Sequence, residues 1–506
     1  MPSLRQRLRW GWTAVAAVGL VADPAHAADS ELSALLGVRL GHTDNIALAA
    51  EGLEQADDLA EVTAGLTFAR AKPRLETHVA YQAQGVFYDE ASESSEVFNT
   101  LNATSQLALV LNRVFFDSFA VYDQTIVDAT GKYSFNKLAL TGNRTDVAIL
   151  GGGPRVMLSI GESVTGEIRY GYTKINYDDV ALEDTEEKVA TFTLGNSTVR
   201  SGGSWAINYD NEHYDYDVSS SIEFQTFDVE LGYWVSSGVR LYTRQGLESD
   251  YTLVVPSGLQ GVGESPGLDQ HYWYVGTDWH PNDRTTLKVQ SGQRSYGEAR
   301  TFQWSYRTSR GGFNIDYIEE PTTYLREQLH RVRRAGEFLP IDSLDGPRGS
   351  FFYLQKQMGI AFVLDRPRSG AGIRVFNERR FDIVEAVHDT SDETERYSGV
   401  ELNLRWNFST ASSVAFLSQA ARRRSTLNVI DDELRYMAFN FAHRVGRQGQ
   451  FTLNIARETS DPSAASSQDP YEENQVIFGI QRTFGTPSRT RVPQRFNGYL
   501  NGTTGR

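Results

Sequence analysis

Apolar and polar residues alternate strictly along much of this chain. Val400-Glu401-Leu402-Asn403-Leu404-Arg405-Trp406-Asn407-Phe408 runs without a miss, and Phe451-Thr452-Leu453-Asn454-Ile455-Ala456 does the same. In Phe302-Gln303-Trp304-Ser305-Tyr306-Arg307 the apolar set is wholly aromatic. A period of two puts one set of side chains on each face of a pleated strand. Roughly 22 such segments of about 9 to 14 residues recur, the length that crosses a bilayer at the usual strand tilt. Helical spacing is found at residues 322–334, inside what reads as a loop. The pattern predicts an all-β fold, a large antiparallel transmembrane β-barrel of about 22 strands within a range of roughly 18 to 22.

The connections sort by length. Short links at 112–113, 201–203, 235–237, 281–284, 309–311 and 409–411 alternate with long, acidic ones. The long ones fall at 89–97, 178–187, 251–270, 320–349, 384–395 and 460–473. A β-sandwich has no reason for this sorting, whereas an outer-membrane barrel has tight periplasmic turns and long external loops. Tyr296-Gly297-Glu298 breaks the rule, being tight where a long loop is due. Both termini then fall on the periplasmic side. Hydrocarbon cannot satisfy the free N–H and C=O groups of a sheet edge, so a spanning sheet must close. A ring of this size is too wide to fill with apolar side chains, so the polar face must line the lumen.

Composition fits this reading. Mean hydropathy is -0.41 over 506 residues, which excludes a stack of apolar helices but not a barrel, whose strands average their two faces. Arg5, Arg7 and Arg9 precede an apolar stretch at 10–22 and then Ala25-His26-Ala27, the pattern of a cleaved export signal. The expected organisation is a signal peptide at 1–27, a barrel at 28–484 and a polar tail at 485–506. The segment through Val476, Phe478, Ile480 and Phe484 resembles a closing strand of the kind recognised by barrel-insertion machinery. A net charge of -15 argues against nucleic acid as a partner, and the lack of cysteine removes disulfides and thiolate metal sites. With 24 Tyr and 26 Phe in the chain, aromatics near strand ends suit interfacial girdles. Tyr81, Phe87, Tyr88, Tyr170, Tyr172, Tyr177, Trp234, Trp273 and Trp279 are the candidates.

Candidate chemistry is sparse. His213 beside Asp210, Glu212 and Asp215 is the nearest approach to a catalytic set, against the plainer reading of a hydrated loop rim. Gly151-Gly152-Gly153 lacks the Lys-Ser/Thr of a phosphate loop and reads as a bend or a close strand approach. Asp178, Asp179, Glu183, Asp184, Glu186 and Glu187 could hold divalent cations, though a solvated acidic loop explains them as well. No catalytic, cofactor or metal site is expected. If Leu287 and Val289 face lipid, then Lys288, Gln290 and Arg294 face the lumen. The same parity turns Arg307, Glu401, Arg405, Glu167 and Arg169 inward as candidate selectivity residues.

Four stretches carry a family resemblance: Thr43-Asp44-Asn45-Ile46, Leu140-Thr141-Gly142-Asn143-Arg144-Thr145, Asn208-Tyr209-Asp210-Asn211-Glu212 and Val375-Phe376-Asn377-Glu378-Arg379-Arg380. With their order and spacing, the chain from about Gly37 to Phe484 resembles the outer-membrane β-barrels associated with PEP-CTERM/exosortase sorting systems. That family is itself similar to porins encoded with exopolysaccharide genes. The resemblance implies an outer-membrane location, a link to surface-polymer export and no assigned activity. Expected partners are outer-membrane lipid and lipopolysaccharide, the insertion machinery, and exopolysaccharide or its export apparatus. A channel is the leading function. A scaffold barrel plugged by the 320–349 loop is the alternative, and a barrel enzyme ranks third.

Overall fold

The computed structural model describes residues 30–485 apart from 92–93, 128–130, 133, 136–137, 197–200, 220, 254–269, 336–351, 383–392, 427–429 and 464–468. The expected signal peptide, and the tail beyond Gly485, lie outside these residues. The strands are β1 (Ser30–Thr43), β2 (Asp57–Lys72), β3 (Leu75–Tyr88), β4 (Glu96–Val110), β5 (Val114–Ile126), β6 (Arg144–Ile160), β7 (Val164–Tyr177) and β8 (Thr185–Gly195). There follow β9 (Gly202–Tyr216), β10 (Ser221–Ser236), β11 (Val239–Leu253), β12 (Gln270–Asn282), β13 (Thr285–Arg294), β14 (Gly297–Thr308) and β15 (Gly311–Thr323). A helix, α1 (Tyr324–Ala335), precedes β16 (Phe352–Asp365), β17 (Ser369–Asp382), β18 (Glu393–Asn407), β19 (Ser412–Ser425), β20 (Ile430–Val445), β21 (Gly449–Pro462) and β22 (Tyr471–Gly485).

Each strand pairs antiparallel with its chain neighbour, and β22 returns to β1 through pairs such as Val38↔Ile480. The sheet is therefore a closed ring of 22 strands, as the alternation predicts. The closing strand ends at Gly485, one residue beyond the expected boundary.

Parity separates two faces. On β1, Leu36, Val38 and Leu40 are exposed on the outside, while Arg39 turns inward to the Glu61 carboxylate directly opposite on β2. On β20 and β22, Met437, Phe439, Phe478 and Ile480 continue the exposed apolar band. A barrel in water would hide these residues. Here they ring the outside, which is stable only against hydrocarbon. Inside, cross-strand partners such as Arg374 and Glu401 oppose each other in register and neutralise charge pair by pair. Among the described residues no helix is long and apolar enough to cross a membrane, so crossing is left to the strands.

The glycine triplet is a close strand approach. A Cβ at Gly153 would lie 1.9 Å from the Tyr170 carbonyl oxygen on β7, which only glycine avoids.

The apolar core is displaced from the centre of the barrel to its long-loop end. Two connections outside the long loops expected from the sequence fold over the lumen there, 44–56 and the described residues of 127–143. Ile46, Leu138, Leu59, Val86, Tyr88, Phe98 and Ile477 form one buried cluster. Some expected girdle aromatics face the inside of the barrel instead. Tyr170, Tyr172, Trp273 and Trp279 are exposed on the outside, but Tyr88 and Trp234 are buried, and Tyr177 packs against a second inner cluster. Sequence position near a strand end does not distinguish these cases, because parity decides the face.

The two faces should respond oppositely to charge. Phe439→Arg on the outer band should destabilise refolded protein by about 2–4 kcal/mol, while Asn440→Arg on the inner face should cost far less. Urea titration of the protein refolded into lipid vesicles measures both, and equal costs would refute the facial assignment.

Candidate functional site at the barrel mouth

Helix α1 is written locally. Thr323 caps it, its Oγ1 accepting the Arg326 N–H at 3.1 Å. Pro321 precedes the cap, where its missing N–H is harmless. Leu325 and Leu329 stand one turn apart and are both buried, Leu329 completely. They pack on Val121, Val147, Ile149, Ile175, Tyr214 and Phe224 from the inner walls of β5, β6, β7, β9 and β10. The helix thus leaves β15 and crosses to a distant arc of the ring. The helical spacing read at 322–334 corresponds to the helix Tyr324–Ala335, with Thr322 and Thr323 still in β15, and residues 336–349 of that loop lie outside the described residues.

Charges fasten both sides of the helix. Arg326 Nε donates to Glu212 Oε2 at 2.8 Å, and His330 Nε2 lies 3.0 Å from Glu212 Oε1. Tyr214 also donates to Glu212 at 2.9 Å, and the Arg326 guanidinium sits 4.4 Å over the Phe224 ring. Burial works against the charge on Arg326, but the Glu212 and Glu320 carboxylates outweigh it and raise its pKa. On the opposite side Glu327 lies 3.6 Å from Arg380 and accepts from the Tyr353 hydroxyl at 3.4 Å. Arg380 is held in turn by Glu378 at 2.8 Å and Glu395 at 3.4 Å.

The described residues of 127–143 make a second set of contacts across the mouth. Lys132 donates to the Leu48 carbonyl at 2.9 Å, Tyr88 to the Leu138 carbonyl at 2.8 Å, and Leu140 N–H to the Ile46 carbonyl at 2.8 Å. Ser134 Oγ and Phe135 N–H both donate to Glu458 on β21, at 3.1 and 3.0 Å. Phe135 packs on Tyr436 of β20 with centroids 5.2 Å apart. Helix and loop together occupy part of the barrel mouth and are fixed to its wall.

The residues picked by parity do not form one ring. Glu167 and Arg169 stand together near a short turn, 3.4 Å apart, in a network with Arg155 and Asp117. Lys288 opposes Asp278, and Gln290 accepts from Tyr242 at 3.2 Å and donates to Thr301 at 3.2 Å. Arg294 is higher, bonded to Glu248 and flanked by the Tyr272 and Tyr296 rings at 5.5 and 5.6 Å. Glu401 pairs with Arg374 at 3.6 Å, Arg405 with Asp365 at 2.8 Å, and Arg307 is exposed next to the inner end of β14. They form separate inner-face clusters at several depths. Sequence parity missed Glu212, Glu327, Arg380 and Glu458, because what singles them out is contact with segments far away in the chain.

The His213 set is split by the pleat. Asp210 and Glu212 are buried inward, whereas His213 and Asp215 face outward, with His213 Nε2 2.7 Å from Asp215 Oδ1. Ser221 Oγ donates to the same carboxylate oxygen at 2.9 Å and Lys188 to the other at 2.8 Å. Serine and imidazole both serve the acid, so no base stands beside a nucleophile. The acidic run at 178–187 does not converge either. Asp184 accepts from Asn176 at 2.5 Å, Glu183 accepts from Ser219, Glu186 pairs with Lys174 at 3.7 Å, and Glu187 is buried. Among the described residues no group of acids or histidines is arranged to hold a metal ion.

The class defined by this geometry is a large membrane-spanning β-barrel with a charged lumen and a narrowed mouth. No protein-family model matches the chain, and no curated protein matches it. Among solved structures it is similar to the FrpB iron transporter from Neisseria meningitidis (8% identity, TM-score 0.49, covering 89% of this chain and 81% of that one). It is similar also to the siderophore receptor PirA from Pseudomonas aeruginosa (9%, 0.42, 90% and 80%) and to OpdQ from the same organism (10%, 0.37, 91% and 100%).

Leu329→Ala should cost about 2–5 kcal/mol at the helix docking site. Hydrogen–deuterium exchange should then rise in peptides covering 324–335 and stay unchanged in the strand ladders. Unaltered protection of the helix would show that it is not held by the wall.

Proposed function

We propose that this chain is an outer-membrane channel, with its long-loop end facing outward and its flow limited at the mouth by α1 and the 127–143 segment. The observation that carries this reading is the reversal of faces: an apolar exterior around a ring of paired charges. A lumen lined this way stays wet and presents alternating fixed charges to a passing solute. The short turns, both chain ends of the barrel and the N-terminal leader read in the sequence fit export to the periplasm followed by insertion. Glu167, Arg169, Lys288, Gln290, Arg294, Arg307, Glu401 and Arg405 are proposed lumen residues that set ion preference. The two crossing segments also favour a second reading, a closed barrel acting as a scaffold. Among the described residues no arrangement favours an enzyme.

Planar-bilayer recording separates the two. A channel gives steady wild-type current that grows several-fold in Arg326→Met/Glu327→Gln/His330→Leu, which breaks the charge contacts on both sides of the helix. Glu167→Gln should shift the reversal potential in a salt gradient toward anions. Silence from both wild type and this triple variant would overturn the channel and leave the scaffold.

The motif resemblance extends the proposal to service in an exopolysaccharide or PEP-CTERM/exosortase system. A deletion strain should then lose surface polymer or retain it in the periplasm, and complementation should restore it. Normal surface polymer in the deletion strain would remove this link and leave the channel standing.

A further inference from the structure

Four cations stand directly opposite one another on four successive strands. Lys356 on β16 pairs in register with Arg379 on β17, Arg379 with Arg396 on β18, and Arg396 with Arg424 on β19. Arg422 lies two residues from Arg424 on the same face. This face is the outer one. Met358, Val375 and Val400 share its parity and are exposed, while the intervening Glu378, Arg380, Glu395 and Arg423 are buried toward the lumen.

Side chains directly opposite across a ladder have Cβ atoms about 4.5–5.5 Å apart, and like charges there destabilise the sheet. Carboxylates offset the row only in part. Lys356 has Glu319 at 3.7 Å, Arg379 has Glu393 at 3.9 Å, and Arg424 reaches Asp431 at 3.4 Å. Asp431 is already engaged by Arg422 through two bonds of 2.8 and 2.9 Å. Arg396, in the middle, donates to the neutral amide oxygen of Asn377 at 3.0 Å and has no carboxylate partner among the described residues. Elsewhere on the outer rim cations are matched closely: Arg435 with Glu433 at 2.6 Å, Arg457 with Glu472 at 2.7 Å.

Height decides what could supply the missing anions. Arg379 and Arg396 stand four residues beyond Val375 and Val400 in the apolar band, about 13 Å along the strand. On the outer-membrane reading, this row lies beyond the exposed apolar band on the long-loop side, where lipid headgroups would stand. Guanidinium groups match phosphate oxygens two at a time.

We propose that the outer face of β16–β19 is a binding site for the phosphates of a bisphosphorylated, acylated glycolipid of the lipid A type, whose chains lie along Val375 and Val400. The inference rests on the outer-membrane reading above. Phosphate between the arginines removes the like-charge cost, and the apolar band accepts the acyl chains. The site thereby fixes one arc of the barrel against one kind of lipid.

Native mass spectrometry of the full-length protein in detergent tests this, with bisphosphorylated lipid A, its dephosphorylated form and inorganic phosphate as probes. Wild type should retain bisphosphorylated lipid A, and Arg396→Gln/Arg424→Gln should bind it roughly tenfold more weakly. Arg457→Gln, whose charge is already matched, should bind as wild type does. Equal retention by wild type and the double variant overturns the site, as does equal retention of the dephosphorylated lipid. Inorganic phosphate binding as tightly as the lipid would overturn the lipid assignment. Heat-dependent electrophoretic mobility checks that each variant is folded. Conductance of the same samples keeps the readings apart, since a conducting barrel without lipid preference overturns this site alone.

Discussion

Every other feature follows from the ladder between β1 and β22. A sheet that meets hydrocarbon cannot leave an edge, because each unpaired N–H or C=O would cost several kcal/mol in a medium that offers no partner. Pairs from Thr43↔Gln475 to Ser33↔Gly485 remove that edge. Closure at this strand number then sets the interior. The ring is too wide for side chains to meet across it, so there can be no central apolar core. Charges inside must find partners on the wall, which they do through in-register pairs such as Arg39 with Glu61 and Arg374 with Glu401.

The same width explains why, among the described residues, the apolar clusters gather at the mouth. Apolar burial needs matter on both sides, and only inward-folding connections supply it. The 44–56 and 127–143 segments and α1 each bring apolar side chains to an inner wall that is itself apolar at that level, through Val147, Ile149, Ile175, Leu59 and Val86. These wall positions have lumen parity yet are not polar. They are receptors for the incoming segments, and they mark the end of the wet lining.

The barrel was legible in the sequence because period-two alternation and the sorting of loop lengths are local signals, repeated many times. Val400–Phe408 states its two faces without reference to any other strand. The strand count and the terminal strand follow from the same signal. The mouth was not legible in this way. Residues 322–334 announce a helix, but nothing local says that Leu329 meets β6 and β7 or that Glu212 awaits Arg326. The 127–143 segment shows only at its end, where Leu140 to Thr145 carries the family resemblance; Phe135 and Leu138 look like scattered loop hydrophobics until Glu458 and Tyr88 are brought beside them. Aromatics near strand ends gave mixed guidance for a related reason: Tyr88 and Phe87 are neighbours in sequence and face opposite ways.

The way α1 is held bears on what it can do. Apolar contacts from Leu325 and Leu329 are non-directional and would tolerate a sliding or rotated helix. The ion pairs are not tolerant. Glu212 is almost fully buried, so any shift that removed Arg326 and His330 would strand its charge, whereas replacing the whole set with hydrophobic residues could leave stability unchanged. Such pairs contribute more to position than to stability. With Glu327 tied to Arg380 and Tyr353 on the other side, the helix has one register in which all its charges are met. A segment fixed in this way narrows the mouth by a set amount, and it can leave only as a unit, with both sets of contacts broken together.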